Sequence, residues 1–243
     1  MTRHKYLLLL AGLLIAVAGS AFKKAKPRLL VFSKTAGFRH DCIPDAKLAM
    51  LKMGAENGFE VDTTEDAGLF TEKNLQRYKA VMFLNTTGNV LNDAQQAAME
   101  SYIRKGGGYI GVHAATDTEY DWPWYNQLVG AYFLSHPKQQ TATLHVVNRQ
   151  HPATRHLDDT WVRRDEWYNF KSIVPGLNVL IKIDEKTYEG GKNGEDHPMS
   201  WYREFDGGRT FYTELGHTKE SYKEEAFLKH VLGGIEYVTR KKK

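Results

Sequence analysis

The pattern of apolar and polar positions divides the chain into two halves with different rhythms. From residue 28 to residue 113, apolar runs of strand length alternate with stretches of helical spacing. Residues 28–32, 80–84 and 109–113 are near-continuous apolar runs, the signature of strands buried on both faces of a parallel sheet. Phe59–Thr64 adds a fourth strand. Ala46, Ala49, Met50, Met53 and Gly54 recur at three-to-four spacing and predict a helix that ends at Asn57 and Gly58. Asp41 is its candidate N-cap, with Pro44 in the first turn. A short helix is expected near Thr71–Arg77, and a longer one from Asn92 to Lys105, stopped by Gly106–Gly108. The order β-α-β-α-β-α-β predicts an open, doubly wound sheet with right-handed crossovers. Ligands of such sheets bind outside the carboxyl ends of the strands, which points to loops 33–41, 85–91 and 113–126.

Beyond residue 113 the rhythm changes. Thr141–Val147 alternates as a half-buried strand, and further strands are expected near Trp161–Arg164, Val179–Ile183, Met199–Phe205 and Thr210–Thr213, the last two joined by a turn at 206–209. A final helix is expected from Ser221 to Tyr237. These strands read as hairpin-like additions to the same sheet, since no linker or repeat divides the chain.

The first 21 residues stand apart. Arg3, His4 and Lys5 precede the apolar run Tyr6–Ala18 and the small residues Gly19, Ser20 and Ala21, which is the form of a cleaved secretory signal peptide. The run is shorter than the roughly 20 residues that span hydrocarbon, so no stable membrane insertion is expected after cleavage. The mature chain is then exported, periplasmic or secreted, with a linker at 22–27, one domain over 28–239 and a basic tail at 240–243. Cleavage would lower the formal net charge of +4 by two, and the remaining basic runs sit at the two ends, so no nucleic-acid partner is expected. Cys42 is the single cysteine, which excludes an intramolecular disulfide. It reads as a small residue at a helix start, or alternatively as a redox-active thiol.

Histidines carry the candidate chemistry. His40, His113, His136, His151, His197 and His217 sit where strands end or turns begin, and His136, His151 and His197 each precede proline, which holds them extended. His113 closes the fourth strand and so faces the predicted crevice. The segment 117–125 (DTEYDWPWY) follows, with a carboxylate at Asp117 to accept sugar hydroxyls and indoles at Trp122 and Trp124 to stack on sugar C–H faces, unless these only plug the core. Tyr168 lies in a second acidic and aromatic segment, and Arg39 and Asn85 lie on the other two crevice loops. His113, His136, His217 and Glu166 form a donor set suited to one divalent ion, zinc or manganese. Without a metal, the same groups could work as general acid and base, with a partly buried Glu166 raised toward neutrality. There is no nucleophile elbow of the Gly-x-Ser-x-Gly kind, no phosphate loop and no dinucleotide fingerprint.

Taken together, segments 30–40 (LVFSKTAGFRH), 83–88 (FLNTTG), 107–117 (GGYIGVHAATD), 165–168 (DEWY) and 212–217 (YTELGH), with Gly190–Lys192 and His197–Pro198, resemble the ThuA-like (trehalose utilisation) family over about residues 28–239. The resemblance implies a flavodoxin-like α/β fold, similar to class I glutamine amidotransferases: a three-layer sandwich with a mainly parallel sheet. In amidotransferases a nucleophilic cysteine occupies the turn where this chain has His113, so a glutaminase is not expected. The resemblance further implies a small carbohydrate substrate, a trehalose-like disaccharide or a 3-keto-sugar derivative, and a site at His40, His113, Asp117, His136, Glu166 and His217. The roles are read from the residues themselves: His113, Glu166, His217 and Asp117 are the expected catalytic residues, and His40, Arg39, Asn85, Trp122, Trp124 and Tyr168 the expected substrate contacts. Two classes stay open at this point: a hydrolase, lyase or isomerase, and a non-catalytic sugar-binding or accessory protein. The sequence leaves the oligomeric state open.

Overall fold

Four apolar or alternating runs of the first half become parallel strands: β1 (Arg28–Phe32), β2 (Glu60–Thr64), β3 (Ala80–Leu84) and β4 (Gly108–Val112). The computed structural model describes residues 26–240; the expected leader, linker residues 22–25 and tail residues 241–243 lie outside the described residues. Helices α1 (Ile43–Asn57), α2 (Glu72–Leu75) and α3 (Asp93–Arg104) fill the connections. Asn92 and Gln95 form a capping box at the start of α3, and Gly58 at φ 76° closes α1 in the left-handed conformation. The cap of α1 differs from expectation. Cys42, not Asp41, occupies the N-cap, and no side chain bonds there.

The second half adds α4 (Pro123–Val129), β5 (Tyr132–Ser135), β6 (Gln140–Val146), β7 (Thr160–Asp165), β8 (Asn169–Lys171), β9 (Asn178–Ile183), β10 (Pro198–Phe205), β11 (Gly208–Thr213) and α5 (Glu225–Thr239). A nine-stranded sheet results, in the order β2-β1-β3-β4-β11-β10-β9-β6-β7. β11 joins β4 in parallel, and β10, β9, β6 and β7 continue antiparallel, as the hairpin reading requires. Not foreseen were α4 and a separate two-stranded sheet of β5 and β8.

Alternation along the strands sorts the core into two layers. Phe32, Phe83, Tyr109 and Tyr212 share one face, where Tyr125 of α4 packs on Phe83 and Tyr109. Phe211 points to the other face, against α5, where the approach is so close that a Cβ on Gly234 would lie 2.3 Å from the ring. Helices thus cover both faces of the sheet, and the carboxyl ends of β1, β3 and β4 open on one edge. Among the described residues no helix is long and apolar enough to cross a membrane.

Candidate metal centre

Three loops at that edge are stitched to one another before any chemistry is considered. The backbone N–H of Ala36 donates to Thr87 O (2.7 Å), Gly37 N–H to Thr87 Oγ1 (3.2 Å), and that hydroxyl donates to Phe38 O (2.8 Å). Gly88 N–H donates to Asp117 O (2.8 Å), Glu119 N–H to Gly88 O (3.2 Å), and Thr118 Oγ1 to Thr86 O (2.8 Å). The residues that leave β3 and β4 are sharply bent: Asn85 has φ 53° and His113 φ 49°, a costly conformation for residues with a Cβ, and one that gathers at functional sites.

This frame brings together His40 from the loop after β1, His113 after β4, Glu166 after β7 and His217 after β11. The three imidazoles are mutually 5.0 Å apart between ring centres and nearly perpendicular in pairs. His113 Nε2 lies 3.1 Å from His217 Nδ1, Glu166 Oε2 lies 3.1 Å from His217 Nδ1 and 3.5 Å from His113 Nε2, and one ligand atom from each of the four residues falls within 4.8 Å of all the others. Donors at about 2.0–2.1 Å from a tetrahedral ion are themselves about 3.3 Å apart, a spacing that the three edges among His113, His217 and Glu166, 3.1–3.5 Å, come close to.

Electrostatics divide the set: they keep His40 neutral and Glu166 anionic, and they favour a proton on His217, which an ion would have to displace. Burial pushes the His40 imidazole down to about 2, helped by His113 and His217, so the ring is neutral and one nitrogen keeps a lone pair; its buried Nδ1 has no hydrogen-bond partner. Burial alone would raise the Glu166 carboxyl, but His113 and His217 beside it hold it well below the usual carboxylate range. The expectation of a Glu166 raised toward neutrality is therefore reversed, because its neighbours outweigh its burial. For His217 burial disfavours the charged ring, yet Glu166 and Asp165 outweigh this and raise it above the ordinary histidine value. His113 Nδ1 lies 2.7 Å from the carbonyl oxygen of Glu214, which assigns the proton to Nδ1 and turns the Nε2 lone pair into the cluster.

His136 is not the fourth member. Its Nδ1 donates to Pro137 O (2.9 Å) and faces Glu166 Oε1 (3.2 Å) from the rim, with a side chain 43% exposed; His40 takes the ligand place that the sequence reading gave to His136. Tyr168 stacks on His113 at 4.3 Å and on His136 at 6.0 Å. Asp117, which burial raises and Tyr120 Oη–H contacts at 2.6 Å, lies within the fields of His113 and His136 but outside the four-residue group. Asn85 is fully buried and donates to the Tyr222 hydroxyl (3.0 Å), while Arg39 is paired with Glu65 (2.9 Å) on the surface. Trp122 and Trp124 are elsewhere. They stack on each other at 5.0 Å, their indole N–H groups donate to Glu100 and Asp206, and Trp124 packs on Phe205, at the end of β10 that lies opposite the carboxyl ends of β4 and β11. His151 and His197 are likewise structural: His151 packs between Tyr202 and Tyr237, and His197 links Glu185 to Tyr168 O.

Sequence reasoning missed two supports. Asp165 is fully buried and accepts from Glu166 N–H (3.0 Å) through one oxygen and from Gly216 N–H (3.0 Å) through the other, bracing the neighbours of two cluster residues. Glu214 accepts from Tyr168 N–H behind His113, and burial raises its carboxyl well above the usual range. The only signal for Asp165 was its place beside Glu166 at a strand end, where one of two adjacent acids has to face inward.

Fold and site together define a flavodoxin-like α/β protein with a histidine and carboxylate centre at the carboxyl edge of its sheet. The chain belongs to the ThuA, trehalose utilisation, family, whose model matches residues 28–238. Similar solved structures include a ThuA-like protein from Bacteroides uniformis (24% identity, 90% of this chain and 94% of that one, TM-score 0.76) and another from Parabacteroides merdae (18%, 88% and 90%, 0.73). A beta-galactosidase from Bacillus circulans sp. alkalophilus shares the fold over 87% of this chain and 31% of its own (10% identity, TM-score 0.57). No match was found among curated proteins.

Proposed function

We propose that the chain is an exported carbohydrate-processing enzyme whose centre is one divalent ion, zinc or manganese, held by His40, His113, His217 and Glu166. The observation that carries this reading is the triangle of three imidazoles at 5.0 Å with a carboxylate held anionic beside it. Family membership supports a small sugar as substrate, a disaccharide or its 3-keto derivative. The leader pattern at 1–21 supports export. When bound, the ion supplies Lewis-acid polarisation of a sugar oxygen. His136 is the group placed to move the proton. Its Nδ1–H is committed to Pro137 O and Glu166, which leaves Nε2 as an acceptor at the exposed rim, suited to take a proton next to a sugar carbonyl. Tyr168 walls the buried side and keeps water from His113.

The test is elemental analysis of protein purified without chelator or added metal. About one ion per chain is expected in the wild type, with loss in His113→Ala and His40→Ala and retention in His136→Ala. No ion in the wild type sinks the metal reading, and retention in His40→Ala sinks this ligand set. With a 3-keto disaccharide as probe, turnover that survives unchanged in both His113→Ala and Glu166→Ala would remove catalysis from this cluster.

A further inference from the structure

The cluster lies inside a continuous run of rings. Phe38 sits edge-on to His40 at 4.9 Å, His40 is 5.0 Å from His113, His113 is 4.3 Å from Tyr168, and Tyr168 is 6.0 Å from His136. The middle of the run is buried and its two ends meet solvent: His136 at one end and Phe38, 66% exposed, at the other. An exposed phenyl is unremarkable by itself. Phe38 differs in that its backbone is held, through its own carbonyl and through Ala36 and Gly37, on the single residue Thr87. A ring on a backbone that is already fixed loses less freedom when a ligand lies on it than one on a free loop. The flat face of such a ring, beside polar groups, is what stacks on the C–H side of a pyranose. The loop that carries Phe38 is tied through Thr87 and Gly88 to the backbone of Asp117, whose Oδ1 accepts from Tyr120 Oη–H.

We infer that Phe38 is the stacking platform for the outer ring of a two-ring glycoside, in the role the sequence suggested for Trp122 and Trp124. The inference rests on the carbohydrate reading above and names its substrate class. Among the rings of the cluster Phe38 touches His40 alone, so a sugar lying on it is beside the centre and not over Glu166 or His136. That leaves the centre to a second ring, which the disaccharide of the proposed function supplies.

The experiment is calorimetric titration of the mature protein with trehalose, maltose and glucose, in wild type, Phe38→Ala and Phe38→Trp, with ion content measured on the same batches. The expected result is a Kd for at least one disaccharide that rises roughly tenfold in Phe38→Ala and returns to within about twofold of wild type in Phe38→Trp, with glucose binding and ion content unchanged. A Phe38→Ala protein that binds the disaccharides like wild type overturns the inference. So does an equal loss for glucose, or a wild type that binds neither disaccharide saturably. Phe38-dependent binding in a protein without an ion leaves the platform standing and sinks the metal reading; a retained ion with no Phe38 effect does the reverse.

Discussion

Asp165 shows how much of the centre depends on a residue that touches no substrate. Its two oxygens hold Glu166 N–H and Gly216 N–H, and it pairs with the buried Arg163 at 3.1 Å. Removing it leaves a buried guanidinium without this carboxylate and two amides without their acceptor. Asp165→Ala is expected to cost about 3–5 kcal/mol by urea denaturation. The milder Asp165→Asn should fold while its ion affinity falls roughly 10–100-fold, read by competition with a chelator; unchanged affinity would make Asp165 structural only. Cys42 behaves oppositely. Burial pushes its thiol up to about 12, with Asp41 and Asp165 adding to the effect, which is the opposite of an activated thiolate and argues against the redox reading. A thiol reagent is expected to label it only in denaturant; rapid labelling of the folded protein would contradict the packing seen here. His113, Glu166 and His217 were legible in the sequence because strand ends at a crevice are where chemistry collects. The place of His40 among them, in the position the reading gave to His136, was not, since nothing local to residues 33–41 says which ring the loop turns inward.

Elements were most legible where apolar runs were unbroken. β1 and β3 fall on their expected residues, because a strand buried on both faces has no polar position to blur its ends. α4 escaped because seven residues between Trp122 and Gly130 are too few to display helical spacing, and their aromatic character invited a reading as ligand surface. β5 and β8 escaped because strands of four and three residues carry almost no periodicity. Their role is nonetheless positional: β5 ends just before His136, and β8 begins just after Tyr168. Within α5, packing and propensity oppose each other. Alanine is the better helix former by about 0.8–1.0 kcal/mol, yet a Cβ on Gly234 would lie 2.3 Å from the Phe211 ring. Gly234→Ala is therefore expected to lower stability by about 1–3 kcal/mol in thermal unfolding, and a stabilised variant would show that the α5 contact is looser than described.

Across the whole molecule, buried histidines give folding an acid-sensitive component away from the centre. Burial lowers His230 to about 3 and His151 to about 4, against about 6.5 in an unfolded chain. Above the unfolded value both states are neutral and nothing is lost. As pH falls below it, the unfolded chain binds protons that the folded one refuses, and stability declines until the folded values are reached. The urea midpoint is expected to drop between pH 7 and pH 4.5, and less steeply in His230→Gln; equal slopes would remove His230 from the account. The doubly wound first half and the hairpin extension of one sheet were legible at this scale, because the alternation of elements along the chain follows from run lengths and short connections. The small second sheet was not.

The four cage residues sit on four separate strand exits, the last of them after β11. The full four-residue group therefore exists only once β11 has joined the sheet and His217 follows it. If the cluster holds an ion as proposed, the metal is then chosen by the supply where folding finishes, and the same polypeptide refolded in a different ionic bath would emerge with a different ion.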